Sequence, residues 1–337
     1  MLKNLDPTQL GVVAVRQSEL IELTLSFGFD GFTIDLRDFE AQLKHGSLEH
    51  VGRLIASAKL HLGAFELPID VAGNDEAFAT EKGRLMRLAG AASQIGATIC
   101  RLTIPPANDT RPYQEQFESF RRRIADMAKI LGEHGIRLAL NFDGTAAARE
   151  GYAYQFLHTF DELTKLVDAC GCDNVGLVVD TWQWHQSGGD MSQLEAVPAA
   201  KVFAIDLADS IEPAGQENVT AEARRLPGEG GQIDTVAILK WLAAMEFAGP
   251  ITPAPSPTSF AKGTSRDNVL KQTRLALLRQ WVEAGLSDEE LPPPIVEQLQ
   301  VEAVEEAAVE AEEVADEAAA EETVTEETGE EVGAAKQ

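Results

Sequence analysis

The chain predicts an α/β fold in which parallel strand–helix units close into a single (β/α)8 barrel. Between residues 11 and 257 one pattern recurs about eight times: a short apolar run, a polar residue at its end, a loop, then a helix-compatible stretch. The span, roughly 250 residues, is what eight such units occupy. Barrels of this kind carry their chemistry at the C-terminal strand ends, which is where the polar residues fall.

The apolar runs lie at 11–15, 31–36, 61–67, 98–104, 137–142, 176–182, 201–207 and 249–255. Between them, apolar residues recur with helical spacing. Leu20, Ile21, Leu23 and Leu25 mark a helix over 18–26, and Leu85, Leu88, Ala91 and Ala92 one over 81–95. Phe120, Ile124, Met127 and Leu131 mark 117–132, stopped by His134 and Gly135. Stretches 160–169 and 234–245 repeat the pattern, each with one apolar face for the outer layer. The barrel is assigned to 1–285. A proline run, Pro292 to Pro294, then opens a segment (286–337) rich in Ala, Glu and Val without aromatic residues. Such text cannot bury enough surface to offset its ordering entropy, so a disordered acidic tail is expected, with a basic partner as its natural contact.

Of 337 residues, 44% are hydrophobic, ample for one large core. The formal charge is −27, from 28 basic and 55 acidic residues, and the tail from Asp288 onward holds 18 of the acids against one lysine. An acidic body offers no clustered Lys and Arg for nucleic acid, and the densest basic run, Arg121 to Arg123, reads as a solvated helix face. Cys100, Cys170 and Cys172 lack the spacing of a disulfide framework or zinc site. No run reaches the length of a membrane helix and the start is too polar for a signal peptide, so a cytoplasmic protein without membrane contact is expected.

Strand alternation sorts the polar residues. Asp35, Glu66, Arg101, Asn141, Asp180 and Asp206 fall on the inward face near the strand ends, whereas Leu138, Leu140, Phe142, Phe203, Ile205 and Leu207 face the helices. Polar groups converging at one mouth are costly unless paired or used. Strand six ends in Asp180 followed by a loop with Trp182, Trp184 and His185, an assembly that suits a sugar: indole faces cover C–H faces, while the carboxylate and imidazole take hydroxyls or a metal. After strand seven, Arg224 and Arg225 precede a glycine-rich turn without the lysine and hydroxyl of a nucleotide loop.

Glu66-Leu-Pro, Val179-Asp-Thr-Trp with Trp184-His, Arg225-Leu-Pro-Gly-Glu-Gly and Gly249-Pro resemble the xylose isomerase-like TIM barrels, the sugar phosphate isomerase/epimerase group that also holds AP endonuclease-type proteins. The resemblance covers about residues 10–280. It implies a divalent metal held by a Glu ending strand five, an Asp ending strand six, often a His three residues later, a His ending strand seven and a Glu on strand eight. Only the Asp is kept, as Asp180; the other places hold Asn141, Gln183, Asp206 and Ala254. In the family the two glutamates also move a proton between adjacent sugar carbons, work that an amide and a methyl group cannot do.

The expected function is a family barrel with a degraded metal site, binding a sugar, polyol or related metabolite with weak or no metal-dependent turnover. Arg101, Asn141, Trp182, Trp184 and Arg225 would bind the ligand, and Glu66 and His185 would serve acid–base roles. The alternative is an active isomerase or epimerase in which Asp180 and Asp206 hold Mg or Mn through oxygen ligands. An AP-endonuclease-like activity stands third, opposed by the acidic body. A homo-oligomer fits the fold class.

Overall fold

A computed structural model describes residues 1–12, 17–34, 48–67 and 69–289. Its strands are β1 (Leu2–Leu5), β2 (Gly31–Phe32), β3 (His61–Leu62), β4 (Phe65–Glu66), β5 (Ile99–Ile104), β6 (Ala107–Asn108), β7 (Arg137–Phe142), β8 (Tyr154–Gln155), β9 (Val175–Asp180), β10 (Val202–Leu207), β11 (Asp209–Ser210), β12 (Arg224–Arg225) and β13 (Pro250–Pro253). The helices are α1 (Gln17–Ser26), α2 (Leu48–Ser57), α3 (Asp75–Gln94), α4 (Tyr113–Gly132), α5 (Phe160–Cys170), α6 (Thr181–Gln186), α7 (Met191–Glu195), α8 (Thr235–Ala244) and α9 (Arg266–Glu283).

One parallel sheet runs β3-β2-β1-β13-β10-β9-β7-β5-β4. Its two ends, β3 and β4, are halves of a single run broken at Gly63 and Ala64, and this run closes the ring into a barrel. The first strand differs from expectation. It is Leu2–Leu5, paired with β13 and β2, and Gly11 and Val12 lie in the loop that follows. The polar Asn4 hid this strand: it is buried because its Nδ2 donates to Thr33 Oγ1 (2.9 Å) and Thr252 Oγ1 (3.0 Å) on the neighbouring strands. Asp35 and the acidic segment from residue 290 lie outside the described residues.

The helices start where side chains can satisfy their free N–H groups. Asn74 caps α3 through Ala77 N, so the helix begins six residues before the expected Glu81. Helix α4 begins directly after Pro112. Helix α5 has a full capping box of Thr159 and Glu162, and ends at Gly171 with φ of 63°, a left-handed position that favours glycine. Among the described residues no helix is long and apolar enough to cross a membrane. The three cysteines are unpaired.

The core has two parts. A large cluster fills the space between sheet and helices, with Leu138, Leu140, Phe142, Ile205 and Leu207 pointing into it. A small cluster of Ala64, Ile99, Ala139, Val178, Phe203 and Ala204 fills the barrel interior. Phe203 faces inward, not toward the helices as alternation predicts. Between Val202 and Ala204 the register to β9 shifts, and the extra residue turns Phe203 to the inner face. Gly176 makes room for it: a Cβ there would stand 2.7 Å from the Phe203 ring.

Candidate functional site at the barrel mouth

The strand register sets the site. Asp180 and Asp206 are partners on β9 and β10, Glu66 and Arg101 on β4 and β5, and Thr103 and Asn141 on β5 and β7. Glu66, Asn141, Asp180 and Asp206 each stand at or next to the last residue of a strand.

Two guanidiniums close the two aspartates. Arg101 binds Asp206 as a fork, Nη1 to Oδ1 at 3.1 Å and Nη2 to Oδ2 at 2.6 Å, and its Nε lies 3.3 Å from Glu66 Oε2. Arg101 and Asp206 are buried, whereas the Glu66 side chain is 61% exposed. Burial alone would push the Arg101 guanidinium down. The charge and hydrogen bonds of Asp206, with Glu66 and Asp180, instead hold it above its ordinary value.

Arg224 closes Asp180. Its Nη2 donates to Asp180 Oδ2 at 2.7 Å and its Nη1 to the Ala254 carbonyl at 3.3 Å. The guanidinium carbon lies 4.7 Å from the Trp182 ring centroid, within cation–π range. Asp180 Oδ1 accepts from Trp182 N and Gln183 N, both at 3.1 Å. That cap converts the expected loop of Trp182, Trp184 and His185 into the short helix α6. Trp182 and Trp184 are both buried, and among the described residues neither indole N–H has a hydrogen-bond partner.

The remaining candidates turn elsewhere. The Asn141 side-chain oxygen accepts from Phe142 N at 2.9 Å, and Gln183 Oε1 accepts from Gly144 N at 2.7 Å. His185 Nε2 lies 3.2 Å from the Glu212 carbonyl. Arg225 Nη1 donates to the carbonyls of Glu222 and Arg224, both at 2.7 Å. The glycine-rich turn offers no phosphate cradle. Its N–H groups at Gly230, Gly231, Gln232 and Ile233 all donate to the fully buried Asp209, so the protein's own carboxylate takes the anion's place.

The sequence places Arg224 and Arg225 together near the mouth and suggests Arg225 as the ligand contact, whereas it is Arg224 that meets Asp180 and Arg225 that turns to backbone carbonyls. Asp6 escaped sequence reasoning altogether. Asp6 follows β1 and is buried. Burial raises its carboxyl above the usual range, Arg101 opposes this, and the charge of Asp206 adds to it. Its signal was Asn4 and Asp6 at alternate positions, the inward parity of a strand.

A divalent metal does not fit these residues. Both Asp206 oxygens and Asp180 Oδ2 are engaged by arginine, and Asp180 Oδ1 by backbone N–H groups. Ala254, at 0% exposure, has no ligating side chain. Among the described residues no three His, Cys, Asp or Glu side chains gather as a metal site.

Comparison with known proteins agrees with the barrel fold. The profile of the xylose isomerase-like TIM barrel family matches residues 21–276, and the chain belongs to that family. It is similar to an inosose isomerase of Bacillus velezensis, with 25% identity over 184 residues, 53% of this chain and 62% of the relative. It is also similar to a 3-dehydroshikimate dehydratase of Pseudomonas aeruginosa, with 24% identity over 292 residues, 82% of this chain and 43% of the relative. The chain thus spans 43% and 62% of the length of these two curated relatives. Among solved structures, a xylose isomerase domain protein of Alicyclobacillus acidocaldarius superposes with a TM-score of 0.74 at 23% identity, covering 85% of this chain and 99% of the other. The IolI protein, solved with a zinc atom, superposes with a TM-score of 0.70 at 20% identity, covering 86% and 100%. These likenesses establish the fold.

Proposed function

We propose that this protein binds a small polyhydroxylated metabolite, a sugar, polyol or related keto compound, at the barrel mouth without metal-dependent turnover. The observation that carries this reading is the closure of both buried aspartates by guanidiniums: Arg101 on Asp206 and Arg224 on Asp180. A metal on these carboxylates would have to break two buried ion pairs, each costly to leave half-made. The alternative, turnover on an Asp180/Asp206 metal site, is opposed by the same contacts. The substrate class draws support from relatives named for inosose and 3-dehydroshikimate, both small oxygen-rich molecules.

Glu66 is the group we assign to direct ligand contact. Its carboxylate is at a strand end, largely exposed, and oriented by Arg101. General acid–base work requires reach to the ligand's proton, and Glu66 has that position, whereas the His185 ring is turned to a loop carbonyl. A thermal-shift screen of sugars, inositols and keto acids in EDTA tests the reading, because a ligand that binds only the folded state raises the melting temperature. A metal-independent rise that is reduced in Glu66→Ala is expected. Shifts that appear only when Mg or Mn is added would refute it.

A further inference from the structure

Arg224 touches two of the places at which the family resemblance sets metal ligands. One is Asp180, ending strand six; the other is Ala254, directly after β13. We propose that Arg224 is a resident organic cation occupying the divalent-metal position of this barrel, and that removing its side chain uncovers a cation site on Asp180.

Charge is the first support. Asp180 is 3% exposed, and a buried carboxylate requires a counter-ion. Arg224 provides it as a guanidinium whose Nη2 lies 2.7 Å from Asp180 Oδ2. Placement is the second. The antiparallel pairing of Arg224 with Ser210 fixes its backbone, and Ser259 Oγ donates to its carbonyl at 2.9 Å. From there the side chain crosses the Trp182 ring and ends between Asp180 and the Ala254 carbonyl. Residue chemistry at 254 is the third. A glutamate there would compete with Asp180 for the guanidinium, whereas alanine leaves its backbone oxygen as the acceptor.

The replacement has a functional consequence. Among the described residues Arg224 donates to two protein acceptors, Asp180 Oδ2 and the Ala254 carbonyl, and its other N–H groups are the ones that would meet ligand oxygens. A guanidinium presents hydrogen bonds and charge to a hydroxyl or carbonyl oxygen but cannot coordinate it as a metal does. The site would therefore orient an oxygen-rich ligand without strong Lewis-acid polarisation. This consequence rests on the proposed ligand-binding reading; the cation replacement itself does not.

The test titrates manganese(II) into the 337-residue chain, read by electron paramagnetic resonance, for wild type, Arg224→Ala and Arg224→Ala/Ala254→Glu. Wild type is expected to bind none at the site. Arg224→Ala should gain weak binding, and the double variant should bind one ion about tenfold more tightly or better, because a second carboxylate joins Asp180. Adding Asp180→Asn should abolish it. Folded double variant with no more manganese binding than wild type would overturn the inference. Should the double variant fail to fold, methylguanidinium supplies the readout. About 10 mM is expected to restore part of the melting temperature lost in Arg224→Ala, and no restoration would overturn the inference. Stoichiometric manganese on Asp180 in wild type would sink the metal-free reading as well; metal-free wild type with unresponsive variants sinks this inference alone.

Discussion

The two ends of the barrel interior each hold an arginine over an aromatic ring, and they use it differently. Arg137, at the start of β7, lies 4.6 Å from the Phe203 ring centroid; Arg224, at the mouth, lies 4.7 Å from that of Trp182. Arg137 has no carboxylate partner among the described residues, is half-buried, and burial lowers its pKa from the ordinary value. Arg224 is more deeply buried and carries Asp180 as its counter-ion. The same ring contact therefore serves packing at one end and charge neutralisation at the other. Where solvent still reaches the guanidinium a ring is enough; in the buried layer a carboxylate is required.

Four substitutions sharpen this contrast. Asp206→Ala leaves the buried Arg101 guanidinium with the largely exposed Glu66 as its remaining ion-pair partner and should cost about 3 kcal/mol in urea unfolding, the largest effect. Arg224→Met leaves buried Asp180 its two backbone N–H donors but no guanidinium, and should cost about 2 kcal/mol by the same measurement. Asp6→Asn should stabilise. Burial raises the Asp6 carboxyl in the fold, so between the unfolded and folded pKa values the native state binds more proton than the unfolded chain, and stability falls as pH rises through the folded pKa. The variant should melt higher than wild type at neutral pH, with the gain vanishing below the unfolded value. A gain equal at all pH values would contradict this. Arg137→Met should change unfolding free energy by less than about 1 kcal/mol, since it loses only a cation–π contact. If it proved as costly as Arg224→Met, the contrast between the two ends would collapse.

Much of the barrel was legible because strand alternation and helical spacing are local. Parity alone brings Arg101, Asp180 and Asp206 to the buried inner layer and Glu66 to a strand end. What alternation could not reveal depended on neighbours distant in sequence. Arg101 meets Asp206 across 105 residues, and Asn4 meets Thr252 across 248. The bulge at Phe203 broke the period of two, and nothing in its apolar run marks where the register shifts. Trp182 and Trp184 read as a loop because the short run hides its own cap, Asp180, which looked only like a site residue. That double use of one carboxylate, as helix cap and as partner of Arg224, is a three-dimensional property.

The central claim is that arginine rather than a divalent metal neutralises the mouth. Elemental analysis of the purified chain, before and after dialysis against EDTA and with the melting temperature followed in parallel, addresses it most directly. Metal content far below one ion per chain with an unchanged melting temperature is the predicted result. One tightly held ion per chain, lost together with stability in EDTA and absent from Asp180→Ala, would contradict the account.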